Sequence, residues 1–272
     1  MSTEIPPDGK IHRWKGASKR GASAWGVSYG NFGAYGDWAT GEVETFVNDQ
    51  RPSKRTHKII LDRVKQDKQK TEYEAAIECY AIWENSIECY GHPYLTKKKV
   101  DSFDLRIDGK NRLLIPLCDT NEQIHSLQYI NEDGYKLFHK GGRKKGLYYM
   151  MGDIEKPLFV CEGYATGASI IMAANVCVAV AFDAGNLLPV VKEIKSVYPY
   201  RPIYIAADND KWKSELGNPG LKYAEQCHNE FQCGVVWPLF KDESTKPTDF
   251  NDLHCLEGLG KVYDRIMSVL NA

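Results

Sequence analysis

Two apolar runs of strand length stop on acidic residues, and that punctuation constrains the fold more than any other feature of the chain. Pro157-Leu-Phe-Val-Cys-Glu162-Gly163 runs into a helical Tyr-Ala-Thr-Gly167 stretch, and Pro202-Ile-Tyr-Ile-Ala-Ala-Asp208-Asn209-Asp210 closes on a carboxylate pair. Continuous apolar runs are what a parallel sheet buried on both faces requires, and open α/β sheets bind ligands at the carboxyl ends of their strands. Helices are expected over Ala165–Asn175, Leu187–Tyr198, Pro219–Phe231 and most of Asp249–Leu270, with strands over Val176–Phe182 and Gly234–Phe240. Strands alternating with helices of this length imply repeated βαβ units and a mainly parallel sheet. Glu162, Asp183, Asp208, Asp210, Asp249 and Asp252 are then expected on one rim.

Carboxylates crowded on a rim repel one another unless cations hold them, and hard oxygen donors suit Mg²⁺ or Mn²⁺. A single acidic residue after a strand can equally cap a helix or close a turn. Recurrence at successive strand ends is what points to metal. The stretches Cys161-Glu162-Gly163-Tyr-Ala-Thr-Gly167, Ala206-Ala207-Asp208-Asn209-Asp210 and Thr248-Asp249-Phe250-Asn251-Asp252-Leu253 resemble the Toprim domain of primases, topoisomerases and related nucleases. In detail they resemble the primases of conjugative plasmids and phages, relatives of the bacterial replicative primase. The resemblance covers Pro93 to the C-terminus. It implies an α/β fold, a Toprim-type mainly parallel sheet flanked by helices, preceded by a mixed α+β subdomain with a β-meander.

The rest of the chain fits that division. From Ile11 to Phe46 glycines punctuate a run of aromatic and basic residues that includes Arg13, Trp14, Lys15, Trp25 and Trp38, with short strands expected over Ala24–Tyr29 and Phe32–Trp38. Such residues can follow a phosphate backbone and stack bases, or simply bury their rings in a small β-module. Asn48–Thr56 reads as a polar linker and Lys58–Tyr90 as one or two lysine-rich helices, either solvated or lying on nucleic acid. Strands over Arg112–Leu117, Ile124–Ile130 and Lys136–Phe138, joined by polar turns, make the β-meander. The meander ends in His139-Lys140-Gly-Gly-Arg143-Lys144-Lys145-Gly146, where glycines allow close approach to a phosphate and basic side chains stand alongside. Taken alone this is an exposed basic turn; placed just before the acidic rim it becomes a phosphate-binding candidate. Expected divisions are 1–55, a glycine- and aromatic-rich module; 56–152, the helical and meander subdomain; and 153–272, the Toprim domain.

Net charge is −1, so any nucleic-acid surface must be a local patch. Eight cysteines without CxxC pairing suit a reducing compartment. No apolar run is long enough to cross a bilayer and no secretory or lipidation signal is present, so a cytoplasmic protein without a membrane partner is expected. Replicative primases carry a zinc module of paired Cys or Cys/His ligands ahead of the catalytic core. No such spacing precedes Cys79, and Cys79, Cys89 and His92 do not make a zinc knuckle, so no zinc is expected.

The resemblance further implies a primase that makes short RNA primers on single-stranded DNA from ribonucleoside triphosphates. Glu162, Asp208 and Asp210 would be catalytic, and Mg²⁺ or Mn²⁺ would be held by these three with Asp249 and Asp252. Glu162 would serve as general base or as an outer-shell organiser of the metal. Lys140, Arg143, Lys144, Lys145 and Asn186, with Arg13, Trp14 and Lys15, would contact nucleotide or nucleic acid. A replicative helicase or a single-strand-binding protein would be further partners. A Toprim nuclease and a non-catalytic single-stranded-DNA-binding accessory protein are the alternatives.

Overall fold

The computed structural model describes residues 4–17, 22–47, 54–212 and 217–271, which fall into two compact units, Met1–Lys70 and Thr71–Ala272. In the first unit β1 (His12–Trp14), β2 (Ala24–Ser28), β3 (Phe32–Asp37) and β4 (Glu42–Val47) form an antiparallel sheet in sequence order. Its core is Trp25, Val27 and Ala34, against which Ile11, Tyr29, Phe32 and Val64 pack. Trp25 and Trp38 stack at 5.6 Å, and the Arg13 guanidinium lies 4.5 Å from the Trp38 ring centroid. Asp37, at the end of β3, accepts hydrogen bonds from Ala17 N (2.6 Å), Ala39 N (2.8 Å) and Ser23 Oγ (3.1 Å).

Helix α1 (Lys54–Glu84) starts in the first unit and ends in the second. Of the linker expected at Asn48–Thr56, residues 48–53 lie outside the described residues, and Lys54–Thr56 are already helical. The helix also stops short of Tyr90. Asn85 Nδ2 and Ser86 Oγ take the carbonyls of Ala81 and Trp83 (2.7 and 2.5 Å), offering the backbone a local alternative to further helix. The chain then enters a sheet as β5 (Ile87–Glu88).

After α2 (Pro93–Lys98), β6 (Arg106–Ile107), β7 (Leu113–Cys118), β8 (Ile124–Ile130) and β9 (Lys136–Phe138) extend that sheet, so the expected meander is real and five-stranded, in the order β5-β6-β7-β8-β9. Cys79 packs under the meander with Leu114, Leu127 and Tyr129, while Cys89 joins the larger core on its other side. His92 caps α2, its Nδ1 accepting from Tyr94 N at 3.2 Å.

The second sheet is built from β10 (Tyr149–Met151), β11 (Leu158–Cys161), β12 (Cys177–Val180), β13 (Ile203–Ala206) and β14 (Gly234–Val236), in the order β10-β12-β11-β13-β14. All pairings are parallel except that of the edge strand β10, so the mainly parallel sheet is as expected. Helices α3 (Tyr164–Ala174), α4 (Leu187–Val197), α5 (Pro219–Phe231), α6 (Phe250–Glu257) and α7 (Leu259–Leu270) follow the alternation. α3, α6 and α7 share one core with the meander and α2. α4 and α5 bury Leu187, Val190, Val191, Ile194, Ala224 and Cys227 in a second core. The helix expected over Asp249–Leu270 is broken at Gly258, whose φ of 89° lies where a side chain is strained.

Candidate active site

Register lines up the carboxyl ends of the parallel strands: Cys161 lies beside Val180 and Ala206, and Ala206 beside Val236. The chain leaves β11 for β12 on one flank and returns to β13 on the other, so the crevice between β11 and β13 is the topological switch point, where open α/β sheets bind ligands. Glu162 follows β11 directly and Asp208 stands two residues past β13. The first turn of α5 closes on both. A Cβ at Gly220 would sit 2.2 Å from the Asp208 carbonyl oxygen and 3.1 Å from Glu162 Oε1. Only glycine lets that helix approach so near, and its N-terminus brings a favourable dipole to the two acids.

The loop after β13 is held from two sides. Asp210 is buried and its backbone N donates to Asn218 Oδ1 (2.8 Å), while Asn218 Nδ2 donates to Asn209 Oδ1 (2.9 Å). Asn209 N donates to Thr248 O (2.8 Å) and Trp212 Nε1 to Pro247 O (3.1 Å), so this loop is bound to the entry of α6. There Asp249 and Asp252 form a capping box. Asp252 N donates to Asp249 Oδ1 (2.7 Å), and Asp252 Oδ2 accepts from Thr248 N (2.9 Å) and Asp249 N (3.4 Å). The helix-capping role open to any acidic residue is therefore one that Asp249 and Asp252 both fill.

Electrostatics place the remaining members. Burial pushes the Cys161 thiol well up, and the charges of Asp208, Glu162 and Asp249 push it the same way. Burial, followed by the Asp252 charge, raises the Asp249 carboxyl. Burial lowers the Lys136 ammonium, against the pull of Asp249 and Asp208 and with the push of Lys98. Lys136 is exposed as a residue, while protein around its ammonium lowers its pKa. That ammonium lies 5.8 Å from the Tyr94 ring centroid.

Sequence reading missed Lys136, Gly220 and Asn218 as members of this site. Lys136 looks like the first residue of a meander strand, and only its position beside the acids reveals it. Lys98, within the Lys97-Lys98-Lys99 run, acts on Asp249 through its charge, lowering the carboxyl against burial.

Carboxylate oxygens suit a hard divalent cation, and among the described residues no three acidic, histidine or cysteine side chains form a ready-made metal cage. Magnesium is commonly held by one or two carboxylates together with substrate phosphates, an arrangement these residues fit.

The basic loop is anchored by the residue expected to touch nucleotide. Asn186 is 3% exposed, and its Oδ1 accepts from Gly146 N (2.8 Å). Its Nδ2 donates to Ala181 O (2.8 Å), Leu147 O (3.0 Å) and Lys144 O (3.3 Å). The side chain thus has its hydrogen-bonding capacity committed to protein, and it bolts the end of the loop to the rim. Lys144 is paired with Asp183 and lies over Phe138 (5.2 Å), whereas Lys140 and Lys145 are exposed and Arg143 half-buried. At the loop's start His139 joins Tyr129 Oη (2.7 Å) to Glu78 (3.2 Å). In the N-terminal unit, Arg13 is stacked on Trp38, Trp14 is half-buried and Lys15 is exposed.

Comparison with known proteins agrees with this geometry. Residues 157–260 match the Toprim domain family. Two Escherichia coli proteins named DNA primase TraC are similar. One is 34% identical over 167 residues, 58% of this chain and 12% of the relative; the other is 31% identical over 157 residues, 54% and 15%. The chain thus spans about an eighth of the length of the curated relatives it matches. The primase fragment of the bacteriophage T7 primase-helicase protein is similar at TM-score 0.49 and 16% identity, over 68% of this chain and 77% of that one. That likeness is loose and adds nothing to the assignment. Strand order and acidic strand ends agree with the match of residues 157–260 to the Toprim domain family.

Proposed function

We propose that this chain is a DNA primase that polymerises ribonucleoside triphosphates into short primers on single-stranded DNA, in the replication of a phage, plasmid or other mobile element. The observation that carries the reading is the meeting of Glu162 and Asp208 at the β11/β13 switch point, with Asp249, Lys98 and Lys136 around them. Similarity to proteins named DNA primase supports it.

In this reading Glu162, Asp208 and Asp210, with Asp249, hold Mg²⁺ or Mn²⁺, which when bound lowers the pKa of the attacking hydroxyl and neutralises developing phosphate charge. Lys136 and Lys98 supply fixed positive charge where the triphosphate lies against the acids. Lys140, Arg143 and Lys145 neutralise phosphates at the mouth of the rim, and Asn186 fixes where that loop stands. The functional segments are 1–55, 56–152 and 153–272, a division by role; the first offers Arg13, Trp14 and Lys15 to the template. A helicase or single-strand-binding protein, in the cytoplasm, would bring the template.

The test is incorporation of labelled ribonucleotides on single-stranded DNA with Mg²⁺ or Mn²⁺, for wild type, Asp208→Ala and Glu162→Gln. Short template-dependent products from wild type alone are expected. Metal-dependent degradation of the DNA without synthesis would overturn the proposal in favour of a nuclease.

A further inference from the structure

A buried polar chain behind the rim joins three elements that meet nowhere in sequence. Asn251, in the first turn of α6, is fully buried, and its Nδ2 donates both to Lys98 O (2.7 Å) and to Ser169 Oγ on α3 (3.0 Å). The Ser169 hydroxyl also shares a hydrogen bond with His254 Nδ1 (3.1 Å). Burial, and then Lys99, lowers the His254 pKa. Two further contacts clasp the same pair of helices: Lys99 Nζ donates to Cys255 O (3.3 Å) and Cys255 Sγ to Lys98 O (3.5 Å).

One side-chain amide therefore ties the end of α2 to α3 and to the first turn of α6. Lys98 is the last residue of α2, and its carbonyl is held by Asn251 while its charge acts on Asp249 and Lys136. Asp249, the N-cap of α6, stands two residues before Asn251. Lys99 follows in a left-handed conformation (φ 54°), so the backbone turns away immediately after Lys98 and the bond from Asn251 fixes the angle at which that lysine leaves the helix.

We propose that Asn251 is a positioning residue that holds the Lys98 ammonium over the acidic rim for the phosphates of a nucleoside triphosphate. The proposal rests on the rim being the nucleotide site. It acts through Lys98, so its effect disappears once that ammonium is gone.

The test is calorimetric binding of ATP, with Mn²⁺, to the full chain carrying Asn251→Ala, Lys98→Met, both, or Ser169→Ala. Asn251→Ala and Lys98→Met are each expected to weaken binding about tenfold, the order of one charge-assisted contact. The double variant is expected to be no weaker than Lys98→Met alone. Ser169→Ala, which leaves the bond to Lys98 O intact, is expected to lower Tm without moving the Kd. If the alanine variant does not fold, Asn251→Ser serves in its place and the same weakening is expected. Full additivity of the two losses, or equal weakening by Ser169→Ala, would reduce Asn251 to packing and overturn the proposal. Absence of ATP binding by wild type would overturn it too. ATP binding that depends on Asn251 in a chain that makes no primers would uphold it and sink the primase reading instead.

Discussion

One missing methyl group decides how near α5 can come to the two acids of the switch point. Gly220→Ala would drive a carbon to 2.2 Å from the Asp208 carbonyl, so strand end and helix must part. Overpacking of this kind costs about 1–3 kcal/mol. The expected outcome is a modest fall in Tm with a loss of ribonucleotide incorporation well beyond it, since Asp208 itself moves. Retained activity in the folded variant would show that Asp208 need not stand there. A residue far from the rim gives a test in pH. Burial raises the Asp108 carboxyl, but hydrogen bonds from Arg112 Nε (2.8 Å) and Nη2 (2.6 Å) and from the backbone of Lys110 and Arg112 outweigh it and hold the group below its usual range. A depressed carboxylate stabilises the fold above its unfolded pKa, near 3.8, and loses that contribution as pH falls through the folded value. Asp108→Asn is therefore expected to cost about 1–2 kcal/mol in denaturant melts at pH 7 and progressively less towards pH 3. An equal cost at both pH values would place the effect in lost packing.

Among elements, the basic loop has its far end held by one side chain, Asn186. Asn186→Ala would strand Gly146 N and the carbonyls of Ala181 and Leu147, while Lys144 O keeps its bond from Leu147 N, a loss of about 1–3 kcal/mol for buried groups left unpaired. The Michaelis constant for template is expected to rise, because Lys140, Arg143 and Lys145 no longer hold one position; an unchanged constant would detach the loop from template binding. The same elements separate what could be read from sequence from what could not. Apolar runs such as Leu158–Cys161 and Ile203–Ala206 report their own burial, so the parallel sheet and its acidic ends were legible. The ends of elements were less so. Helix α1 stops because Asn85 and Ser86 seize nearby carbonyls, and α6 parts from α7 at a backbone angle, neither of which leaves an apolar period to read. Side-chain destinations were least legible. Asn186 and Asp183 both follow β12, yet only their hydrogen bonds tell that one is a bolt and the other a cap and counter-charge. Lys136 and Lys98 join Asp249 across long stretches of chain, a juxtaposition made by the sheet and the α2–α6 clasp.

Across the whole molecule, 35 basic and 36 acidic residues leave almost no net field, so the proposed function requires local basic patches such as the loop and Arg13 with Lys15. Replacing Lys140, Arg143 and Lys145 together by alanine is expected to lower the slope of log affinity for single-stranded DNA against log salt by about 2, near 0.7 for each phosphate no longer neutralised. An unchanged slope would mean that the DNA path avoids the loop. Finally, all eight cysteines are free thiols, six of them sealed inside the layers and only Cys118 and Cys255 partly open. The chain thus carries its own set of clocks. A thiol reagent in native buffer should modify those two first, while Cys161, Cys177, Cys227 and Cys233 wait for the sheet to come apart and then react as a group. The lag between the phases would time how often the floor beneath the acidic rim opens to water, without a dye, a denaturant or a substrate.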